Sequence, residues 1–491
     1  MNKPELPRSP VAPGSALPQG LQQLADQAFK RVAGAHLVPG NGVRILKDAA
    51  ENFPAWLEAI RTAERTVYFE SYIIGDDAVG REFVAALAER ARAGIRVRLL
   101  YDWLGTRAPR SLFAPLVEAG GLVRVFNPPR FNSPIGWLTR DHRKSIVVDG
   151  RVGFVSGLCA SARWLGDPAR RLDAWRDTGV EIRGPAVAEI ELAFAQVWAV
   201  CGGSAIEEEE LTPADAIPAV GDVPVRVIAT VPNSGGLLRL DQLIAAAADG
   251  RLWLTDAYFV GVTPYLQALC AAARDGVDVR LLVPGASDIA IVSGISRAGY
   301  RPLLEGGVRV FEWNGSMLHA KSAIADERWA RVGSTNLNIA SWLTNYELDV
   351  AIEDERFVDG MAAMYEQDLR NATEIVLGRR YRVGASPTAV ASRQGRRALS
   401  GSAGRAAAGA VSVGAAVGAA LTSRRTLGPA EANLLGVFAL ILIVIAAIAV
   451  LWPPALAFPI ALISAWAGIV MLIRARRLWR ERRKRGAIAS G

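Results

Sequence analysis

Apolar and polar positions change their period repeatedly from about residue 42 onward, which is typical of an α/β protein. Short, strongly apolar runs predict strands at residues 66–72, 96–101 and 123–126. Residues at helical spacing lie between them and predict helices at 80–93 and 112–119. Strands that alternate with helices predict a sheet covered by helices. The chain has 491 residues, which is enough for two or three domains with proper cores.

An internal repeat organises this part of the chain. The sequence Gly-Ile-Arg-Val-Arg-Leu-Leu at 94–100 returns as Gly-Val-Asp-Val-Arg-Leu-Leu at 276–282, and Gly-Leu-Val-Arg-Val-Phe at 121–126 is echoed by Gly-Val-Arg-Val-Phe at 307–311. Self-similarity at a nearly fixed offset indicates an internal duplication. We therefore predict two similar α/β lobes, separated by an acidic linker that contains proline, with bounds 36–203, 204–224 and 225–377.

The N-terminal 35 residues are predicted to stand apart from the lobes. Residues 1–20 contain several prolines and lack a charged-then-apolar leader, so we expect disorder there and not a signal peptide. Apolar residues at helical spacing in 21–32 predict a short amphipathic helix. A helix this short buries little surface, which favours packing on the core or on a partner subunit over contact with lipid.

Two apolar runs near the C-terminus, 433–451 and 455–473, predict a transmembrane hairpin at 433–473. Each run has 19 residues without a charge, enough to cross a bilayer core of about 30 Å at 1.5 Å per residue. A flexible basic linker is expected at 378–432 and a basic tail at 474–491. Arginines flank both ends of the hairpin, which predicts that the lobes and the tail face the cytoplasm. A weakly apolar run at 406–421 is too short to be expected to span.

The distribution of charge argues against a nucleic-acid partner. The whole chain carries a net charge of +8, but residues 378–491 hold 17 Lys and Arg against two acids, so the preceding residues carry −7. The basic tail is instead expected to meet anionic lipid head groups. Three cysteines stand far apart without metal-ligand spacing, which suggests neither a disulfide framework nor a zinc site.

The pattern His-x-Lys-x-x-x-x-Asp occurs once in each half and carries the candidate chemistry. Only three histidines exist in the chain, and two of them head this pattern. Residues two apart on a strand point to the same face, so each histidine and lysine can reach one pocket. The aspartate follows at the strand end, where a turn can aim it at buried polar groups. The six predicted catalytic residues are His142, Lys144, Asp149, His319, Lys321 and Asp326.

These residue types suit the transfer of a phosphodiester. The two lysines can neutralise the anion, each contributing about 4 kcal/mol at contact distance with an effective dielectric near 20. One neutral imidazole can attack phosphorus, and one protonated imidazole can donate a proton to the leaving oxygen. This chemistry requires no metal, and we expect no cofactor.

The paired motif resembles the phospholipase D superfamily, and residues 43–377 resemble bacterial cardiolipin synthases. Matching segments are Tyr-Asp at 101–102, Phe-Asn-Pro at 126–128, Trp-Arg-Asp-Thr at 175–178 and Gly-Ser-Thr-Asn at 333–336. The resemblance implies two α/β lobes with the active site between them and a covalent phosphohistidine intermediate. It also implies that His142 is the nucleophile and His319 the general acid, an order that the sequence itself leaves open.

Further roles follow from the same resemblance. Asn336, together with Ser334, is expected to bind the phosphate, and Asp177 and Glu347 are expected to orient the two histidines through the far ring nitrogen. One position departs from the family pattern, because Cys159 stands where an asparagine is usual after the first motif. A thiol is a poor hydrogen-bond donor, so the phosphate cradle is expected to be asymmetric.

The favoured function is that of a phosphatidyltransferase which makes cardiolipin from anionic phospholipids such as phosphatidylglycerol. The resemblance and the hairpin together predict a place in the bacterial inner membrane. Three alternatives stay open: hydrolysis of phospholipids with water as acceptor, a nuclease of the same superfamily, and a non-catalytic lipid-binding or scaffold protein. The charge of the lobes disfavours the nuclease, and the intact histidines and lysines disfavour the scaffold. Acyl preference and oligomeric state stay open.

Overall fold

One sheet of 15 strands runs through both halves of the protein. The computed structural model describes residues 27–129, 139–167, 169, 173–288 and 296–377, together with scattered positions between 444 and 476. The strands in chain order are β1 Val38–Lys47, β2 Thr66–Ser71, β3 Arg96–Asp102, β4 Leu122–Phe126, β5 Lys144–Val148, β6 Val152–Ser156, β7 Thr178–Arg183, β8 Val223–Thr230, β9 Arg251–Thr255, β10 Asp278–Pro284, β11 Arg309–Trp313, β12 Ser322–Ala325, β13 Trp329–Gly333, β14 Glu347–Glu353 and β15 Ala372–Ile375.

Helices cover both faces of this sheet. In the described part of the chain they are α1 Asp48–Arg61, α2 Ala78–Arg92, α3 Ala114–Glu118, α4 Val187–Val200, α5 Gly236–Ala247, α6 Thr263–Arg274, α7 Tyr300–Glu305, α8 Ile339–Leu343 and α9 Glu355–Leu369. Strands β2 and β5 are buried along their whole length, as expected for strands with helices on both faces. The five elements predicted at 66–126 all occur, but 112–119 splits into a 3₁₀ turn, Arg110–Phe113, followed by α3.

The strand order repeats in the two halves, as the sequence repeats predict. The first half is ordered β4-β3-β2-β5-β6-β7-β1, and the second half is ordered β11-β10-β9-β12-β13-β14-β8, with β15 added at the outer edge. Strands β2, β3 and β4 pair in parallel, and so do β9, β10 and β11. The halves join where β1 pairs antiparallel with β8 at the centre of the sheet. The motifs at the starts of β5 and β12 therefore belong to one continuous scaffold.

A shared core holds the two halves together. Phe194 of α4 in the first half and Met361 of α9 in the second half belong to the same cluster of buried apolar residues. Each half also has a core of its own under its remaining helices. Because interiors are close-packed, this shared core fixes one half relative to the other.

The short N-terminal helix packs on the protein. Residues 27–33 are helical, and Phe29 and Val32 pack against the core of the second half. The guanidinium of Arg226 lies 5.7 Å from the centre of the Phe29 ring. For these residues the packed alternative is the correct one, whereas residues 1–26 lie outside the described part.

The acidic segment 204–224, predicted as the linker between the lobes, is mostly exposed and is attached to the protein at a few residues. Ile206 and Ile217 are buried in the shared core. Glu210 accepts two hydrogen bonds from Arg98 Nη2, at 2.9 and 3.1 Å. Arg98 lies 112 residues before Glu210 in sequence, so this contact leaves no local signal.

The predicted basic linker at 378–432 and the tail at 474–491 lie outside the described residues, save for one position in the tail. The predicted hairpin at 433–473 is described only at scattered positions, and Val444, Ile448 and Leu451 among them are helical. No helix in the described part is both long enough and apolar enough to cross a membrane.

Candidate active site

The two His-x-Lys motifs meet where the halves cross. Each histidine lies just before its strand, in an extended stretch that pairs with the opposite half. The amide of His142 donates to the carbonyl of Tyr346 at 2.9 Å, and the amide of His319 donates to the carbonyl of Arg176 at 2.7 Å. The backbone of each motif is thus braced by the other half.

Each histidine is also oriented by an acid from the opposite half. Nδ1 of His142 lies 2.9 and 3.1 Å from the two carboxylate oxygens of Glu347. Nδ1 of His319 lies 2.8 Å from Oδ2 of Asp177. Because Nδ1 is engaged in both rings, Nε2 is the nitrogen that can react with phosphorus or carry a proton. The predicted contacts of the two acids are confirmed, and the crossed arrangement was not foreseen.

Both acids are buried and kept ionised by their surroundings. Burial alone would raise the pKa of the Asp177 carboxyl, but His319, Lys321 and the Trp164 indole bring the pKa below its ordinary value. Trp164 Nε1 donates to Asp177 at 2.8 Å. The pKa of Glu347 is likewise lowered, against its own burial, chiefly by His142.

Ser334 supports Glu347, the acid that orients His142. Its hydroxyl donates to Oε2 of Glu347 at 2.5 Å and accepts from the amide of Leu348 at 2.9 Å. The Ser334 hydroxyl is thus engaged with Glu347 and Leu348, and its predicted contact with the phosphate stays a prediction. Sequence pattern alone cannot tell a residue that touches substrate from one that holds its neighbour.

The lysines lie beside the histidines of their own motifs. Lys144 and Lys321 are buried, and the ammonium of each donates to the carbonyl of the histidine two residues before it. Nζ of Lys321 also lies 2.9 and 3.0 Å from the two ring nitrogens of His319. Burial lowers the pKa of Lys321 to about 8, so it remains charged at neutral pH.

The imidazoles are neutral in the free site. Burial lowers the pKa of His319 to about 3, with Lys321 acting in the same direction and Asp177 against it. Burial also lowers the pKa of His142, and Glu347 opposes that effect. A neutral imidazole is the nucleophilic form, and an arriving anion would favour protonation of one ring.

Aromatic rings wall the site and were missed by the sequence reasoning. Tyr72 lies edge-on to His142, with 4.8 Å between ring centres. Three more rings surround His319 at 5.3, 5.6 and 5.8 Å, namely Trp164, Trp175 and Tyr258. Tyr72 follows β2 and Tyr258 follows the corresponding strand β9 closely, so their positions at the ends of repeated strands were an available signal.

The two halves differ at one pair of positions to which the resemblance gives phosphate binding. Asn336 follows His319 by 17 residues, and Cys159 follows His142 by the same 17 residues. Both side chains are buried, and Oδ1 of Asn336 has no hydrogen-bond partner in the described part. Burial raises the pKa of the Cys159 thiol, and the charges of Lys144 and Lys321 oppose this effect. The second half thus carries an amide where the first half carries a thiol.

Asp149 and Asp326 lie away from the histidines and hold turns. Asp149 is about 15 Å along β5 from Lys144. Its carboxylate accepts from the amides of Glu64, Arg65 and Thr66 at 2.7–2.9 Å. These contacts favour a structural role for Asp149, as a turn that aims it at polar groups would give, and its predicted catalytic role stays a prediction.

Asp326 makes the same contacts in the second half. Its carboxylate accepts from the amides of Asp249, Gly250 and Arg251, at 2.8–3.2 Å. Both aspartates have positive φ, 56° for Asp149 and 52° for Asp326, a conformation that Asp tolerates better than most residues.

Comparisons with known proteins agree with this site. A family model described as "Cardiolipin synthase, PLD-like domain" matches residues 240–369. The cardiolipin synthase of Halalkalibacterium halodurans is 34% identical over 72% of this chain and 71% of that protein, and cardiolipin synthase A of Pseudomonas aeruginosa is 33% identical over 71% of each. The crystal structure of phosphatidylserine synthase from Haemophilus influenzae Rd KW20 matches with a TM-score of 0.58 and 14% identity, over 72% of this chain and 92% of that chain, which shows the fold alone. The chain belongs to the cardiolipin synthase family of the phospholipase D superfamily.

Proposed function

We propose that this protein is a phosphatidyltransferase that moves a phosphatidyl group from one phospholipid to the free hydroxyl of phosphatidylglycerol, forming cardiolipin. The observation that carries the proposal is the pair of buried histidines, each oriented by an acid of the opposite half and each beside a buried lysine. The naming of its relatives as cardiolipin synthases supports the choice of acceptor.

The first half of the reaction forms a phosphohistidine. Nε2 of neutral His142 attacks phosphorus, and the bond between phosphorus and the head-group oxygen breaks. His319, protonated in the presence of the anionic substrate, donates its proton to that oxygen and releases the head-group alcohol. Lys144 and Lys321 neutralise charge on the phosphoryl oxygens, and Glu347 stabilises the positive charge that develops on the His142 ring.

The second half reverses these roles. The hydroxyl of phosphatidylglycerol loses its proton to His319 and attacks phosphorus, and the phosphorus–nitrogen bond to His142 breaks. The two acids keep both rings in place between the half-reactions, which matters because the covalent intermediate must wait for a second lipid.

The substrates place the enzyme at a membrane. Phosphatidylglycerol is an anionic lipid with two acyl chains, and the apolar runs at 433–451 and 455–473 suit an anchor in the bacterial inner membrane. In this arrangement the arginines at both ends of the hairpin keep the catalytic halves on the cytoplasmic side.

The test is a product analysis with purified full-length protein and phosphatidylglycerol in mixed micelles. We expect release of glycerol and formation of a four-chain lipid, and loss of both products in His142→Ala and His319→Ala. Phosphatidic acid as the sole lipid product would make the protein a hydrolase instead. Absence of turnover by folded wild-type protein would reject the enzymatic function.

A further inference from the structure

A buried guanidinium joins the acid that orients His319 to the opposite half. Arg176 precedes Asp177 and has only 4% of its surface exposed. Its Nε lies 2.9 Å from each carboxylate oxygen of Asp368, near the end of α9 in the second half. Nη2 approaches the same carboxylate at 2.9 Å. This side-on pairing fixes the plane of the guanidinium.

The same guanidinium fixes the backbone that carries Asp177. Nη1 of Arg176 donates to the carbonyl of Asp177 and, at 3.1 Å, to the hydroxyl of Thr178. Nη1 also lies 3.2 Å from Oδ1 of Asp48, and that oxygen accepts from the amide of Asp177 at 2.8 Å. The amide of Asp177 is therefore held by the Asp48 side chain, and its carbonyl is held by the Arg176 side chain.

The chain of contacts continues to the reacting ring. The carbonyl of Arg176 accepts from the amide of His319, and the Asp177 carboxylate engages Nδ1 of that histidine. Movement of Arg176 would thus displace His319 at its backbone and at its ring together. Arg143, the residue beside His142, is held differently, since its guanidinium donates hydrogen bonds to three carbonyls and to Gln196.

We infer that Arg176 and Asp368 are positioning residues for His319, acting through Asp177 across the boundary between the halves. The inference rests on the proposed function, since it assigns the pair to the proton transfers of His319. An ion pair that served stability alone would leave the behaviour of one particular histidine unchanged when it is weakened.

The experiment compares Asp368→Asn with two reference variants, Asp177→Asn and Glu347→Gln, in the full-length protein. Two substrates are used, phosphatidylglycerol and a phosphatidyl ester of p-nitrophenol, whose leaving group needs no proton. For Asp368→Asn we expect kcat on phosphatidylglycerol to fall about 10- to 100-fold with KM within about twofold, since a small displacement of a catalytic group has effects of that size. The amplitude of the p-nitrophenol burst in Asp368→Asn should match the amplitude in Asp177→Asn and differ from the amplitude in Glu347→Gln.

Two further variants keep the result interpretable. Glu374→Gln removes the exposed pair of Arg309 and Glu374 on the same half, at 2.8 Å, and should leave both substrates unaffected. Asp48→Asn provides a milder disturbance of Arg176 if Asp368→Asn does not fold, and it should give the Asp177→Asn pattern in weaker form.

The inference is overturned if the folded Asp368 or Asp48 variant keeps full kcat, or if its burst follows the Glu347→Gln pattern. Failure of the proposed function looks different, because wild-type protein would then form no phosphatidyl product and show no burst at all.

Discussion

At the scale of single residues, the charge of Lys321 determines how the free site responds to pH. Burial brings the pKa of this lysine to about 8, so the ammonium loses its proton as pH rises through that value and the site keeps one cation fewer for the phosphate. We expect kcat/KM, which reports on the free enzyme, to fall above about pH 8. The measurement is a profile of kcat/KM between pH 6 and 10.

The carboxyl of Asp256 supplies the control for this pH limb. Burial raises its pKa to about 7, so at pH 8 it is mostly ionised and favours the charged form of Lys321. Asp256→Asn should therefore move the alkaline limb to lower pH, whereas Asp275→Asn on an exposed turn should not. If Asp256→Asn does not move the alkaline limb of the kcat/KM profile, the pH dependence does not come from Lys321.

The thiol of Cys159 permits a second prediction at this scale. Replacing it with asparagine restores an amide donor opposite Asn336, and the neighbouring lysines already favour an anion there. We expect Cys159→Asn to lower KM for phosphatidylglycerol by about three- to tenfold, the effect of one added hydrogen bond with a typical net free energy of about 1 kcal/mol. The matched change Asn336→Cys should raise KM, and a rise in both variants would contradict the proposed cradle.

Some residues of the site could be predicted from the sequence and others could not, for a physical reason. The histidines and lysines were found because their spacing is rigid on a strand and their chemistry is specific. The contact between Ser334 and Glu347 was not predicted, because Glu347 lies 13 residues further along the chain. The rings of Tyr72 and Tyr258 were missed because contact with a histidine depends on how two strands meet, which no local pattern records.

At the scale of elements, Asp149 and Asp326 each fix the turn that leads into a central parallel strand. The Asp149 carboxylate binds three successive amides ahead of β2, at 2.7–2.9 Å. Asp149→Ala leaves these donors without a partner and places alanine at positive φ. We expect the free energy of unfolding to drop by about 2–4 kcal/mol, while kcat of the folded fraction stays near the wild-type value.

Urea unfolding together with kcat at 20 °C checks this prediction. Asp149→Asn should lose less stability, because its amide oxygen still accepts from the turn. Asp215→Ala, on an exposed 3₁₀ turn, is the control and should change neither quantity. Loss of kcat in a folded Asp149 variant would support its predicted catalytic role instead.

Element boundaries were predictable where hydrophobic period alone decides them. The strands expected at 66–72 and 96–101 end within one residue of β2 and β3. The attachment of segment 204–224 was not predicted, because Glu210 owes its position to Arg98, which lies far away in sequence. Such anchoring follows from tertiary contacts and leaves no periodic trace.

At the scale of the whole molecule, duplication and crossing together explain why the protein carries both motifs on one chain. The repeats foretold two lobes, and the strand orders agree with that expectation. They did not foretell that Glu347 serves His142 and that Asp177 serves His319, because a duplication alone also permits each half to complete its own histidine. Each half is therefore chemically incomplete.

This incompleteness predicts the behaviour of the protein expressed as two chains, residues 1–221 and 222–491. The cut falls in an exposed stretch between the 3₁₀ turn at Ala214–Ala216 and β8. Neither fragment alone should transfer a phosphatidyl group, since each lacks the acid for its histidine and exposes the strand edge at β1 or β8. Co-expression should restore cardiolipin formation, because the shared core reassembles without a covalent link.

Mutations in the co-expressed fragments then test the two crossed contacts one at a time, Asp177 with His319 and Glu347 with His142. Asp177→Asn in the first fragment should reproduce the defect of His319→Ala in the second fragment, although the two residues sit on different chains. Glu347→Gln in the second fragment should reproduce the defect of His142→Ala in the first in the same way. Two results would contradict the crossed arrangement. One is activity from a single fragment, and the other is an acid mutation whose defect matches that of the histidine on the same fragment. Either result would mean that each half completes its own site and that the crossed pairs do not act in catalysis.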